Sequence, residues 1–284
     1  MMQHGSLIRI GKINYTNVWP IYHHFPHERF GTDLEWIGQV PTGLNRAMLA
    51  GEVDMGAISS FAYGESHSRY ELFPELSVSA KGKVNSLLIF HKKPLEQLDG
   101  CTVMLPTTSA TTVNLLKIIL ARFVGVTPRY VYAAPSLDTM MKHADAALLI
   151  GDDAIRASWS ETPYQVTDMG ELWYKYTEHW MTFAVWAVRK ETIAAYPGLV
   201  AAIHEAFLQS KAAGERDPES IIRRAQMDIG GTLDYWRYYF RNLSHDFGPE
   251  QRKGLSLYFR YANELGLLPE PAPLHMWTDN SVTR

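Results

Sequence analysis

The sequence predicts an α/β protein of two lobes with a ligand cleft between them. Three observations carry this. Short apolar, strand-sized runs alternate with helical stretches through the first two thirds of the chain. Two strand-like crossings, near residues 89–92 and 186–190, bracket a middle unit. Several strands end in hydroxyl or amide side chains rather than in turn residues, and ligands of open parallel sheets sit beyond the carboxyl ends of strands.

Residues 7–13 read as the first strand, and Pro20 opens a short helix after it. A second strand covers 34–37. The stretch "PTGLNRAMLAGEVD" puts Leu44, Ala47, Met48 and Leu49 on one helix face, with Gly51 as its C-cap. Residues 53–58 return to a strand that ends in Ser59 and Ser60. This order implies a parallel sheet with helices packed against it. After the strand in "VNSLLIFHKK" a second α/β unit begins, with "CTVMLP", "YVYAA" and "DAALLIGDD" as strands. The helices between them are "TSATTVNLLKIILARF" and "PSLDTMMKHA". "YQVTDM", the helix "GELWYKYTEHW" and the alternating run "TFAVWAVRK" follow, and the rest is helical over 194–213, 218–229, 233–242 and 249–265. Lobe one is thus expected to hold 1–91 and 188–284, and lobe two 92–187.

The composition excludes some functions. Of 284 residues 46% are hydrophobic and 20% charged, as in an ordinary globular protein. Lysine plus arginine is 27 and aspartate plus glutamate 30, a net charge of −3, which gives no reason to expect nucleic acid or an anionic membrane surface. An anionic small molecule stays open, since local dipoles govern a pocket. The single cysteine, Cys101, rules out an internal disulfide and a thiol-rich metal site, and reads as a small buried residue. The first residues carry neither a basic segment nor an apolar stretch of leader length, and no run is long enough to span a bilayer, so a cytoplasmic protein is expected.

The polar groups at strand ends admit more than one reading. Thr107, Thr108, Ser109, Thr111 and Thr112 place five hydroxyls in six residues before a helix. Capping needs one or two; the surplus, with the free N–H groups and dipole of a helix start, suits a carboxylate or phosphate. Ser59 and Ser60 read equally as a cap for the turn that follows or as ligand-facing hydroxyls, and Ser86 opens the crossing strand. On spacing alone Asn17 reads as an Asx turn and Tyr15 as a packed aromatic. Asp152 and Asp153 offer a carboxylate pair, or one of them an N-cap. His23, His24 and His27 lack regular metal-ligand spacing and read as solvent-facing. No phosphate-loop, dinucleotide or metalloprotease motif is present.

Taken together, "RIGKINYTNVWPIY", "VPTGLNRAMLAGEVDMGAISSFAY", "VNSLLIF", "PTTSATTVNLLKIIL", "ALLIGDDA" and "DMGELWYKYT…FAVWAV" resemble, in order and spacing, the chorismate dehydratases of the futalosine route to menaquinone. The resemblance covers most of residues 8–190. It implies a type 2 periplasmic-binding-protein-like fold and cofactor-free, metal-free loss of water from chorismate to 3-[(1-carboxyvinyl)oxy]benzoate. It implies that Asn17 is central to the site, and that Ser86 and the 107–111 run hold substrate, with Tyr15, Ser59, Ser60 and Asp152 beside them. Two departures stand out: Thr16 replaces an expected leucine, and "TEHWM" at 177–181 stands where Thr-Gly-Leu-Pro-Phe is expected.

Chorismate is a dianion, so its site should supply positive potential without competing carboxylates. An amide has no useful proton affinity near neutral pH. Asn17 is therefore expected to orient the departing hydroxyl while a carboxylate of the substrate removes the ring proton.

Overall fold

The computed structural model describes residues 7–279. β1 (Ile8–Ile13) leads through a 3-10 turn into α1 (Trp19–Tyr22), followed by β2 (Leu34–Gln39), α2 (Pro41–Ala50), β3 (Met55–Ser59), α3 (Ser60–Ser66) and the long β4 (Tyr70–Ala80). β5 (Leu87–His91), β6 (Thr102–Pro106), α4 (Thr111–Ile118), β7 (Arg129–Ala133), α5 (Leu137–His143), β8 (Ala146–Ile150), α6 (Gly151–Ser158), β9 (Gln165–Asp168) and α7 (Met169–Thr177) build the second lobe. The chain returns as β10 (Met181–Arg189) and finishes with α8 (Lys190–Ala195), α9 (Pro197–Arg216), α10 (Pro218–Ile229), α11 (Leu233–Asn242), β11 (Leu243–Ser244) and α12 (Pro249–Glu264). Among the described residues no helix is long and apolar enough to cross a membrane.

Two sheets result, ordered β11-β4-β10-β3-β1-β2 and β7-β6-β8-β5-β9. Each contains three parallel strands in the same arrangement, β2-β1-β3 and β7-β6-β8, but neither sheet is wholly parallel: β10 runs antiparallel to β3 and β4, and β5 antiparallel to β8 and β9. The β-α-β pattern describes only the parallel half of each lobe. β4 was not legible as a strand because Pro74 and Glu75 interrupt it. Glu75 has φ 63°, and the register against β10 slips there, which is how an eleven-residue strand absorbs a proline.

Sheet membership also moves the crossings. β5 lies wholly in the second sheet and β10 wholly in the first, so the chain passes between lobes at 81–86 and 178–180, not at 89–92 and 186–190. An apolar run marks a buried strand without telling which sheet it joins. The lobe-one segments accordingly end near residue 80 and resume at Met181.

Both crossings are pinned. The Asp168 carboxylate caps α7 through Gly170 N at 2.8 Å and also accepts from Asn85 N at 2.7 Å and Val84 N at 3.1 Å, tying the first crossing to lobe two. Each crossing holds a left-handed residue other than glycine: Asn85 at φ 61° and Glu178 at φ 60°. Asparagine tolerates that region and glutamate does not. Glu178 closes α7 where the resemblance leads one to expect glycine. Glu178→Gly is expected to stabilise the protein by about 1 kcal/mol, read as a higher denaturant midpoint with an unchanged slope. A fall in the midpoint would contradict this.

Candidate active site

The carboxyl ends of β1, β3, β6 and β8 meet at the seam between the lobes, so the segments 15–17, 59–62, 107–111 and 151–152 face one another across it. Thr16 crosses the seam, donating its hydroxyl to Asp152 Oδ1 at 2.6 Å and its backbone N–H to the same oxygen at 3.3 Å. Phe61 N donates to Thr111 Oγ1 at 3.0 Å, and Thr42 Oγ1 donates to the Thr107 carbonyl at 3.1 Å. The Tyr15 ring lies on Gly151, where φ is +58° and an added Cβ would come within 2.8 Å of the ring. Only glycine allows β8 to turn into α6 beneath that ring.

Asn17 follows directly on these contacts. Its backbone carbonyl is 2.7 Å from His245 Nε2, which therefore carries the proton, while its side-chain Oδ1 is buried with no hydrogen-bond partner. Buried amide oxygens are rarely left unpaired, and one so placed at a seam is a ready acceptor for a bound group. Ser86 is buried; Tyr239 donates to its hydroxyl at 3.2 Å, and its carbonyl accepts from Gly151 N at 2.7 Å.

Other predicted residues have local duties. Ser59 caps α3, accepting from Ala62 N at 3.2 Å, and also takes a bond from Asn45 Nδ2 at 3.0 Å. Ser60 is turned inside lobe one and donates to the Thr182 carbonyl at 2.8 Å, so it does not join the seam group. Ser109 accepts from Thr112 N at 3.3 Å as a cap, Thr107 is exposed, and Thr108 is half-buried beside Tyr15. Asp152 stands in the first turn of α6 rather than at its cap. The structure thus brings together Tyr15, Asn17, Ser86, Thr108, Thr111 and Asp152. Thr16, Tyr239 and His245 were not anticipated as site residues; the last two lie more than two hundred residues along the chain from β1, where spacing gives no signal.

Burial sets the electrostatics. It pushes the Asp152 carboxyl up, opposed by the two hydrogen bonds from Thr16 and by Arg156, and it raises the Tyr15 and Tyr239 phenols, which stay neutral. The Asp152 acid, expected among the residues beside the substrate, thus stands buried in a seam meant for a dianion. His245 is buried and pushed down to about 4, so it is neutral at pH 7. Its folded value lies below the unfolded one, so the unfolded state binds the proton first. Stability is complete above about pH 6.5 and is lost as pH falls toward 4, by up to roughly 3 kcal/mol from this group. Thermal melts across that window should show the loss, and His245→Gln, which keeps a donor but does not titrate, should flatten it. An equally steep curve in the variant would contradict the assignment.

A cavity of about 430 Å³ is lined by Pro20, Ile221, Ile222, Phe240 and Leu243 among others, touches the site through His245, and is lined by none of the sequence-predicted site residues. Among the described residues no group of three His, Cys, Asp or Glu side chains could hold a metal ion. Cys101 is half-buried, its Sγ 3.4 Å from the Gln97 carbonyl, rather than a core residue, because it stands at the start of β6 and not within it.

Comparison with known proteins places this geometry. A family profile described as menaquinone biosynthesis matches residues 8–264. The chain is 33% identical over 273 residues to the chorismate dehydratase of Thermus thermophilus, covering 91% of this chain and 95% of that protein. It is 27% identical over 238 residues to the 1,4-dihydroxy-6-naphtoate synthase of the same organism, covering 81% and 84%. Among solved structures, a protein from Archaeoglobus fulgidus superposes with a TM-score of 0.73 at 17% identity, over 94% of this chain and 100% of that one. The periplasmic aliphatic sulphonate binding protein of Escherichia coli superposes at 0.69 with 13% identity, over 97% and 93%. The fold is that of the periplasmic binding proteins, and the chain belongs to the menaquinone-biosynthesis family that includes chorismate dehydratase.

Proposed function

We propose that this protein is a chorismate dehydratase, removing water from chorismate to give 3-[(1-carboxyvinyl)oxy]benzoate in the cytoplasm, on the futalosine route to menaquinone. The observation that carries the reading is the 33% identity, over 91% of the chain, to a chorismate dehydratase. The seam supports it physically. α4 begins there with no acidic residue in its first turn, so its dipole supplies positive potential for a carboxylate. The hydroxyls of Thr108 and Thr111 are the candidate hydrogen-bond donors, and Ser86 joins them by releasing the long bond that its hydroxyl donates to the Val84 carbonyl at 3.4 Å. Closing the lobes excludes water and strengthens each of those bonds.

The chemistry asks little of the enzyme beyond selection, because aromatisation drives the elimination. The ring proton passes to a carboxylate of the substrate, the ring hydroxyl departs, and the Asn17 amide holds the departing group in line. Chromatography with mass spectrometry tests the reading. After incubation with protein dialysed against chelator, chorismate should be replaced by a product one water lighter. Unchanged chorismate at saturating protein would overturn it.

A further inference from the structure

The carboxylate of Asp152 has no place in a scheme that binds a dianion through hydroxyls and dipoles. We propose that Asp152 is the catalytic acid that protonates the departing ring hydroxyl, and that Thr16 is the positioning residue that fixes which oxygen carries the proton. The inference rests on the dehydratase reading and assigns to it a step that reading leaves open.

The geometry is specific. Asp152 is 6% exposed and Thr16 is fully buried. Both hydrogen bonds from Thr16, through hydroxyl and backbone N–H, fall on Oδ1. Oδ2 makes none and is not sealed from solvent. With Oδ1 saturated by two donors, a proton on the carboxyl resides on Oδ2, the oxygen left free to give it away. Thr16 belongs to the lobe that carries Asn17 and Asp152 to the other, so this arrangement exists only when the lobes are closed. It also ties the acid to the residue that precedes Asn17 in the same turn. The threonine stands where the sequence led one to expect leucine, which would have left Oδ1 with the backbone N–H alone.

Several groups surround the carboxyl. Asp153 raises it and Arg156 lowers it from α6, while Tyr15 from the β1 turn and Tyr235 and Tyr239 from α11 face it as neutral phenols. Burial is the largest influence and favours the protonated form, and an incoming dianion acts in the same direction. The step balances. The ring carbon–oxygen bond breaks, and the oxygen takes the proton of Asp152 Oδ2 and leaves as water. The electron pair of the broken ring C–H bond completes the aromatic ring. The ring proton goes to the substrate carboxylate, and Asp152 is reprotonated from solvent after release.

Steady-state kinetics with chorismate tests this. Asp152→Asn should lower kcat by roughly 100-fold or more, with KM unchanged or lower because a negative charge is removed. Thr16→Val should keep turnover but move the alkaline limb of the pH–rate profile to higher pH, because losing a donor to the carboxylate raises the acid further. A kcat for Asp152→Asn within about threefold of wild type overturns the acid, and an unmoved alkaline limb in Thr16→Val overturns the positioning role. Equilibrium binding of chorismate to both variants confirms that they fold and close. Failure of the wild-type protein to dehydrate chorismate is a separate outcome, and it overturns the reaction and this step with it.

Discussion

Replacing Gly254 by alanine should cost about 3 kcal/mol and lower the melting temperature by roughly 8 °C. Gly254 lies in α12, and an added Cβ would stand 2.0 Å from the Trp180 carbonyl oxygen and 2.9 Å from its carbon. Those are backbone atoms of the second crossing, so no rotamer change relieves the clash. The same carbonyl accepts from Trp173 Nε1 at 3.0 Å, and displacing it leaves a buried indole N–H unpaired. Because the displaced segment joins the lobes, activity should fall as well. Gly198, with nothing within 4 Å of the position its Cβ would take, is the matched control: its alanine variant should be neutral or gain about 0.5 kcal/mol. Equal melting temperatures for the two variants would contradict this account of the crossing.

Asn17→Asp should lower kcat/KM for chorismate by about 100-fold to 1000-fold. The substitution keeps shape and leaves the bond between His245 and the backbone carbonyl of residue 17 intact, so the fold should survive. It does add a buried carboxyl to the seam, and it sets that charge against a dianionic substrate. Most of the loss should fall on substrate binding if the new carboxyl ionises, and on turnover if it stays protonated. Near-normal activity would remove Asn17 from the centre of the site.

How far the sequence alone reaches can be judged from particular residues. Among the C-terminal helices α10 and α11 have the predicted bounds and α12 ends one residue early, because a proline or a capping threonine opens each and their apolar faces recur at helical spacing; the helix expected over 194–213 instead runs from Pro197 to Arg216, after a break at Tyr196 that closes α8. The two-lobed plan was legible because β1 to β3 and β6 to β8 repeat one pattern of apolar strand and amphipathic helix. β4 was not, since Pro74 and Glu75 break its alternation and only pairing with β10 rescues it. The crossings were misplaced because their neighbouring strands are as apolar as any in the core. In the site, capping hydroxyls and cleft hydroxyls look alike in sequence. Ser59 and Ser109 turned out to cap helices, Ser60 to serve the lobe-one core, and Thr111 to bridge the lobes, distinctions that depend on which backbone N–H each oxygen meets. Thr16 stood out only as a departure, and its partner lies 136 residues away.

The central claim, dehydration of chorismate at the seam that holds Asn17, is tested most directly by proton NMR of chorismate turning over in the presence of the purified protein and chelator. The account predicts that the ring olefinic signals give way to aromatic ones while the two enolpyruvyl methylene protons persist, and that Asn17→Asp slows the change at least about 100-fold. Release of pyruvate with loss of the methylene signals, or chorismate that stays unaltered beside folded protein, would contradict it.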